Sequence, residues 1–211
     1  MYLPAAFRED DLDALHAIIR EHPLATLVTT GSEGLTANHV PMLLDPEPAP
    51  LGTLRGHLAR ANPQLATAGG DALVIFHGPQ AYVTPSWYES KREHGKVVPT
   101  WNFVAVHVYG ALRTFEAPRR LHALVSTLTE GQEGAFPQPW RVTDAPDEFV
   151  ERQLTAIVGI EVAITRIEGK RKLSQNRPEK DRAGVEAGLA ARGDADSAAV
   201  AEAMAKSRNE Q

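Results

Sequence analysis

The sequence contains no cysteine among its 211 residues. This absence excludes disulfide bonds, thiolate metal sites and cysteine nucleophiles together. No apolar run approaches the roughly 20 residues that a membrane-spanning helix needs. Residues 1–9 also lack the basic region and apolar stretch of an export signal. We therefore expect a cytoplasmic protein that does not enter a membrane.

The sequence has fewer basic residues than acidic ones. The chain has 22 Lys and Arg against 27 Asp and Glu, which gives a formal net charge of −5. Domains that bind nucleic acids usually carry a basic surface. A direct contact with DNA would need a local basic patch that acts against the overall field. The sequence leaves DNA binding open and gives it little support.

The common enzyme motifs are missing as well. There is no phosphate-binding P-loop, no Gly-x-Gly-x-x-Gly after a strand and no Gly-x-Ser-x-Gly. None of the eight histidines belongs to a His-Glu-x-x-His helix. Histidines on separate strands (His39, His57, His77 and His107) are more often satisfied by hydrogen bonds than by a metal. We expect no metal site, a cluster of those histidines being the open alternative, and we assign no catalytic residue.

The residues that are present predict a folded α+β protein. The hydrophobic fraction is 43% and the charged fraction 23%, as in ordinary globular domains. Alternating apolar runs bounded by Gly and Pro predict strands over 24–30, 35–45, 53–58, 72–76, 81–84, 97–115 and 158–167. Helices are predicted before Pro23, over 62–68, after Pro118, after Asp144 and in the alanine-rich tail. This order predicts an antiparallel β-barrel with peripheral helices.

Two further regions of the sequence indicate how the predicted barrel and its helices are arranged. The run 97–115 is apolar on both faces, which is typical of a strand covered on both sides, in a barrel or at a subunit interface. The tail has few large apolar residues, so we expect residues 183–204 to form a peripheral helical hairpin. We accordingly divide the chain into a domain over 1–177 and a helical extension over 178–211.

A phosphate site is predicted at the helix over 62–68. A helix N-terminus presents free N–H groups and a positive dipole, both favourable to an anion. Asn62 is its predicted cap, and Arg60 supplies a bidentate donor just before it. Planar rings are recognised by amides, which both donate and accept, and Asn38, Gln175 and Asn176 are candidates. A flavin mononucleotide (FMN) has both a phosphate and such a ring.

Five segments together resemble one family. They are Asn38-His39-Val40-Pro41, Gly-His-Leu-Ala-Arg-Ala-Asn-Pro over 56–63, Ala-Tyr-Val-Thr-Pro-Ser-Trp-Tyr over 81–88, His-Gly-Lys-Val-Val-Pro-Thr-Trp-Asn over 94–102 and Lys-Leu-Ser-Gln-Asn-Arg over 172–177. In order and spacing, from Met1 to about Met204, they are similar to the PaiB-like family of FMN-binding negative transcriptional regulators.

The resemblance implies a fold, a cofactor and a set of contacts. The fold would be the FMN-binding split barrel, an antiparallel Greek-key barrel, in a homodimer with two flavin sites at the subunit interface. The cofactor-binding residues would be Asn38, His39, Val40, His57, Ala59, Arg60, Asn62, Lys172, Ser174, Gln175 and Asn176. The segment from Lys172 to Asn176 would close the site from the partner subunit.

The resemblance does not decide between three functions. The first is a flavoprotein that represses transcription, through DNA, a protein partner or its redox state. The second is an oxidoreductase in which the flavin accepts hydride from a nicotinamide. The third is a haem-binding protein on the same barrel, with His57 or His107 as the ligand. The sequence also leaves open the electron donor and the regulated target.

Overall fold

The computed structural model describes residues 1–48 and 50–209. The strands are β1 (Arg8–Glu9), β2 (Leu24–Gly31), β3 (Gly34–Pro41), β4 (Leu43–Asp45), β5 (Thr53–Ala59), β6 (Asp71–Val83), β7 (Thr100–Phe115), β8 (Ile157–Ala163) and β9 (Arg166–Lys172). The helices are α1 (Leu12–Glu21), α2 (Glu89–His94), α3 (Pro118–Glu133), α4 (Asp147–Thr155), α5 (Glu179–Ala190) and α6 (Ala195–Asn209). Short 3-10 turns lie at Ala5–Phe7, Pro63–Thr67, Pro85–Trp87 and Val142–Asp144.

The strands form one sheet in the order β3-β2-β6-β7-β8-β5-β4, and β9 pairs with both β1 and β7. The registered pairs are antiparallel, as expected from the sequence. The two ends of this strand order lie close together, because an added Cβ on Gly56 of β5, the strand next to the end strand β4, would lie 2.8 Å from the carbonyl oxygen of Pro41 in the other end strand, β3. The sheet therefore curls toward closure at this point.

Chain contacts divide the molecule into two compact units. The first unit comprises residues 1–18, 77–106 and the described chain from Glu168 onward. Its core is built from α1, the end of β6, the start of β7 and the C-terminal helices, and it buries Leu15, Tyr88, Val104, Leu173 and Val185. The α1 helix begins as expected, since the Asp11 carboxylate accepts the N–H of Ala14 at 2.9 Å.

The second unit comprises Ile19–Phe76 and His107–Ile167. The inward faces of its strands bury an apolar core that includes Leu27, Leu54, Val74, Phe76 and Ile160. Complete burial of each such side chain contributes about 1.5–3 kcal/mol. A smaller cluster of Phe115, Leu121 and Leu124 packs the α3 helix on the unit.

Several strand boundaries differ from the sequence expectation. Residues 72–76 and 81–84 belong to one strand, β6, which passes through Gly78 and Pro79. Its buried positions change phase between Phe76 and Ala81, so the alternation that marks two strands comes from an irregularity within one. The run 35–45 is divided at the buried Met42, and the last predicted strand consists of β8 and β9.

The expected C-terminal helical hairpin is present as α5 and α6. Its side chains Val185, Leu189, Val200 and Met204 are all buried. The expectation placed this hairpin outside the core, whereas in the structure it forms part of the core of the first unit. The division at residue 177 stays a prediction.

Candidate functional site

Two of the predicted binding residues, Asn38 and Asn62, meet at a buried glutamine in the second unit. The Gln64 side chain is 1% exposed. Its Oε1 accepts the amide of Asn38 at 2.8 Å, and its backbone N–H donates to Oδ1 of Asn62 at 2.9 Å. Its Nε2 donates to the carbonyl oxygen of Leu27 and to Oγ1 of Thr29, both at 3.1 Å. Asn62 therefore caps the 3-10 turn Pro63–Thr67, and the bonds of Gln64 to Asn38, Leu27 and Thr29 fasten this turn to β2 and β3.

Gln64 was not among the site residues predicted from the sequence. The predicted helix cap at Asn62 and the proline at the first helical position are confirmed, but the turn is a five-residue 3-10 helix. In the sequence, a glutamine at the second position of such a turn does not indicate that its side chain is buried. Its role comes from strand residues 26 to 37 positions away, which local patterns do not show.

Arg60 has structural partners in the second unit. Its Nη1 donates to the Glu116 carboxylate at 2.7 Å. Its Nε and Nη2 donate to the carbonyl oxygens of Thr155 and Ile157 at 2.7 and 3.1 Å. Because α4 ends at Thr155, the guanidinium caps a helix C-terminus, where free carbonyls and the negative end of the dipole favour a cation. Its expected bond to phosphate stays a prediction.

The remaining predicted residues of this unit occupy different environments. His39 is exposed, with Nδ1 3.1 Å from Oγ1 of Thr26. Val40 is buried, and Ala59 is the exposed last residue of β5. His57 lies half-buried opposite Gly159 of β8, and burial lowers its pKa. Contact of these side chains with a ligand stays a prediction.

The predicted segment Lys172 to Asn176 forms a fixed turn in the first unit. Ser174 has a positive φ of 63°. Its Oγ is 3.0 Å from Nδ2 and 3.2 Å from Oδ1 of the fully buried Asn102. Gln175 folds back, with its Oε1 accepting the N–H of Leu173 at 2.7 Å and its Nε2 donating to Arg171. The Gln175 amide is therefore used within the turn, whereas Asn176 is exposed.

Lys172 precedes this turn and is anchored to β7. Its ammonium donates to the carbonyl oxygen of Trp101 at 2.5 Å and to Oγ1 of Thr100. Burial lowers the pKa of Lys172, and the positive charges of Lys170 and Arg177 lower it further. We call Lys170, Lys172 and Arg177 the basic cluster.

The basic cluster has no carboxylate within ion-pair distance among residues 1–48 and 50–209. Lys170 donates to the carbonyl oxygen of Tyr2 at 3.0 Å, and the Arg177 guanidinium lies 4.9 Å from the centre of the Tyr88 ring. Cations that crowd together without a counter-charge favour an anion. This donor set fits the phosphate group of a mononucleotide.

An aromatic pair lies on the same unit. The rings of Tyr82 and Trp101 meet edge to face with centroids 6.0 Å apart. They are 41% and 53% exposed, which is high for such large side chains. Exposed aromatic surface beside cationic donors offers a planar, apolar contact to a ligand or to a second subunit.

Known proteins resemble the chain in both sequence and fold. A family model described as "Putative FMN-binding domain" matches residues 1–166. The chain is 35% identical over 226 residues to an uncharacterized protein of Emericella nidulans, with 90% of each chain covered. It is 34% identical over 183 residues to the protease synthase and sporulation protein PAI 2 of Bacillus subtilis, with 86% of this chain and 85% of the relative covered.

Two solved structures share the fold. The FAD and heme binding protein of Mycobacterium smegmatis has a TM-score of 0.59 at 16% identity, covering 83% of this chain and 78% of that one. The flavocytochrome of Azotobacter vinelandii has a TM-score of 0.59 at 12% identity, covering 84% and 75%.

The antiparallel sheet and these likenesses define a protein of the flavin-binding split-barrel class, which confirms the predicted fold. Within that class, the chain belongs to the FMN-binding domain family that includes the Bacillus PAI 2 protein. The family also confirms the flavin cofactor implied by the sequence resemblance. None of the helices among the described residues is long and apolar enough to cross a membrane.

Proposed function

We propose that the protein is a cytoplasmic FMN-binding negative regulator of transcription of the PaiB type, a homodimer with its flavin at the subunit interface. The single observation that carries the flavin part of this proposal is the basic cluster. Three cations on one segment, with no carboxylate partner among the described residues, suit a dianionic phosphate. The regulatory part rests on the likeness to the Bacillus protein.

A bound flavin supplies the capacity to accept and return hydride or single electrons. The protein's own residues would bind and orient it. The ammonium of Lys172 is already aimed by its bonds to Thr100 and Trp101, so little side-chain entropy would be lost on binding. Asn176 offers an exposed amide at the end of the same turn.

A homodimer is proposed because the aromatic pair exposes apolar surface on the first unit. Trp101 is more than half exposed and belongs to β7, which buries Val104 and Val106 in the core. A second copy of the chain would cover this surface and satisfy the family's arrangement of two equivalent sites. Light scattering should give twice the chain mass of 22.9 kDa. A monomer mass at micromolar concentration would contradict the proposal.

Regulation would not depend on a general attraction to DNA. The net charge of −5 repels nucleic acid. This charge favours regulation through the redox state of the flavin. A change in that state would be transmitted to a protein partner or to a locally basic surface.

The decisive experiment is reconstitution of the purified protein with FMN. Flavin absorbance bands and saturable quenching of flavin fluorescence are expected. Loss of target-transcript repression in cells that express a variant unable to bind flavin would support the regulatory role. Rapid bleaching of the bound flavin by NADH would favour an oxidoreductase instead, and a Soret band would indicate haem. Absence of any flavin binding would overturn the proposal.

A further inference from the structure

We infer that a groove between α3 and β4 binds an unbranched alkyl carboxylate, the chemical class of a fatty-acid anion, with its carboxylate at Arg20. The groove lies within the second unit, and none of the predicted cofactor-binding residues lines it. The inference therefore goes beyond the proposed function and does not depend on flavin binding.

Two adjoining cavities form this groove. Their volumes are about 430 and 520 Å³, and Leu43 and Leu44 of β4 line both of them. Such volumes are typical of sites for small molecules. The lining residues of α3 extend from Arg120 in the smaller cavity to Gln132 in the larger one, which is about 18 Å along a helix axis. The groove is therefore elongated, and its shape suits a chain better than a compact ring system.

Gly131 keeps one end of the groove open. It lies in α3, although glycine is the least favourable helix residue apart from proline. A Cβ added at Gly131 meets nothing within 4 Å, so no close packing contact requires a glycine there. Gly131 shares one face of the helix with Leu124 and Leu128, which also line the groove. The missing side chain therefore leaves space in the groove and does not serve the packing of the helix.

The lining is aliphatic along most of the groove. Met42 lines it from a buried position, and Leu24, which also lines it, is 61% exposed. Aliphatic side chains make no hydrogen bonds, so the ligand should have few polar groups along its length. A peptide would have to satisfy its own backbone, and the end strand β4 is only three residues long. An alkyl chain has no such requirement and gains affinity from each methylene that it buries.

The charges of the groove indicate the orientation of the ligand. In the smaller cavity, Arg55 and Arg120 form ion pairs with the carboxylates of Asp45 and Glu161. In the larger cavity, Arg20 has no carboxylate within ion-pair distance among residues 1–48 and 50–209. A guanidinium binds a carboxylate through two parallel hydrogen bonds. The carboxylate is therefore assigned to Arg20, and the alkyl chain extends toward the smaller cavity.

The test titrates the full-length protein with decanoate, octanoate and decan-1-ol by isothermal titration calorimetry. Octanoate has two fewer methylenes than decanoate and should bind roughly 10- to 20-fold more weakly. Arg20→Gln should weaken decanoate binding roughly 10- to 100-fold and leave the binding of the uncharged decan-1-ol unchanged. Arg119→Gln is the matched control for charge, because Arg119 is exposed on α3 and lies outside the lining. It should bind both ligands as the wild type does.

Gly131→Leu tests where the alkyl chain lies. The added side chain should abolish binding of both decanoate and decan-1-ol. It should not lower the melting temperature, because leucine is a better helix former than glycine. Glu130→Leu adds the same side chain one position away, at an exposed residue outside the lining, and should bind both ligands as the wild type does. The inference is wrong if the wild type binds no decanoate, if Gly131→Leu binds it unchanged, or if Arg20→Gln weakens decanoate and decan-1-ol equally.

Membrane lipids are a second source of alkyl chains. Sedimentation with phosphatidylcholine vesicles should leave the protein in the supernatant, because the groove is assigned to a free carboxylate. Co-sedimentation that Gly131→Leu abolishes would assign the groove to a lipid instead and overturn the inference. None of these measurements requires a flavin. A protein that binds decanoate as expected but no FMN would overturn the proposed function and leave this inference standing.

Discussion

The packing of α5 against the turn Pro85–Trp87 gives a sharp stability prediction. Gly184 lies in the middle of α5, and an added Cβ would come 2.1 Å from the backbone oxygen of Trp87. A backbone oxygen cannot rotate away as a side chain can. Gly184→Ala must therefore push the helix and the turn apart.

Two opposing contributions determine how much Gly184→Ala changes the free energy of unfolding. Overpacking costs typically about 1–3 kcal/mol, and the upper end applies here because backbone is the obstacle. Alanine regains about 1 kcal/mol of helix propensity. The net expected loss is about 2 kcal/mol, or roughly 4–8 °C in melting temperature for a chain of this length. Denaturation followed by circular dichroism measures it directly.

Gly131 in α3 supplies the matched control, because a Cβ added there meets nothing within 4 Å. Gly131→Ala should gain about 0.5–1 kcal/mol from propensity alone. The two substitutions are chemically identical and differ only in what surrounds them. If Gly184→Ala is as stable as wild type, or shifts the melting temperature in the same direction as Gly131→Ala, then α5 does not pack on Trp87 as described.

Two further predictions concern pH and the C-terminal tail. Burial lowers the pKa of His57 below its usual 6.5, so at mildly acidic pH the unfolded chain takes up a proton that the folded chain resists. The free energy of unfolding should therefore fall as the pH drops through this range, and His57→Gln should flatten the dependence in urea titrations; an unchanged slope would contradict the assignment. Truncation after Asn176 removes the buried Val200 and Met204 and uncovers Asn102, so thermal melts should show a clear loss of stability. The tail's apolar-poor composition suggested a folded barrel without it, and a melt identical to wild type would favour that view.

Local chemistry explains which parts of the fold could be predicted. The hairpin of β2 and β3 was predicted correctly because Gly34 ends its turn. Gly34 has a φ of 98°, a backbone conformation that few other residues tolerate. The start of α1 was correct because Asp11 is a strong cap. The continuity of β6 was missed because Gly78 and Pro79 indicate a turn in isolation. Gly78 instead allows close approach to Val104, since a Cβ there would lie 2.9 Å from that side chain.

The same reasoning applies to the candidate site. The sequence marks residues 170–177 as basic and amide-rich, and its pattern is specific enough to indicate the family. What the pattern cannot show is where counter-charges lie. Arg60 meets Glu116, which is 56 residues away, whereas Lys172 meets only neutral oxygens. This difference depends on tertiary contacts. It separates a cation with a structural role from one that is available to a ligand.

The segment that carries the basic cluster is connected to the C-terminal helical hairpin through Asn102. The family model ends at residue 166, whereas the cluster occupies 170–177 and the helical hairpin follows it. Asn102 of β7 holds the turn through Ser174, and its amide also lies 3.5 Å from the sulfur of Met204 in α6. One buried amide thus contacts both the turn that follows Lys172 and the second helix of the C-terminal hairpin. If the basic cluster binds an anion as proposed, loosening the hairpin should disturb the turn next to Lys172 and weaken that binding, and by reciprocal linkage the bound anion should favour the docked hairpin.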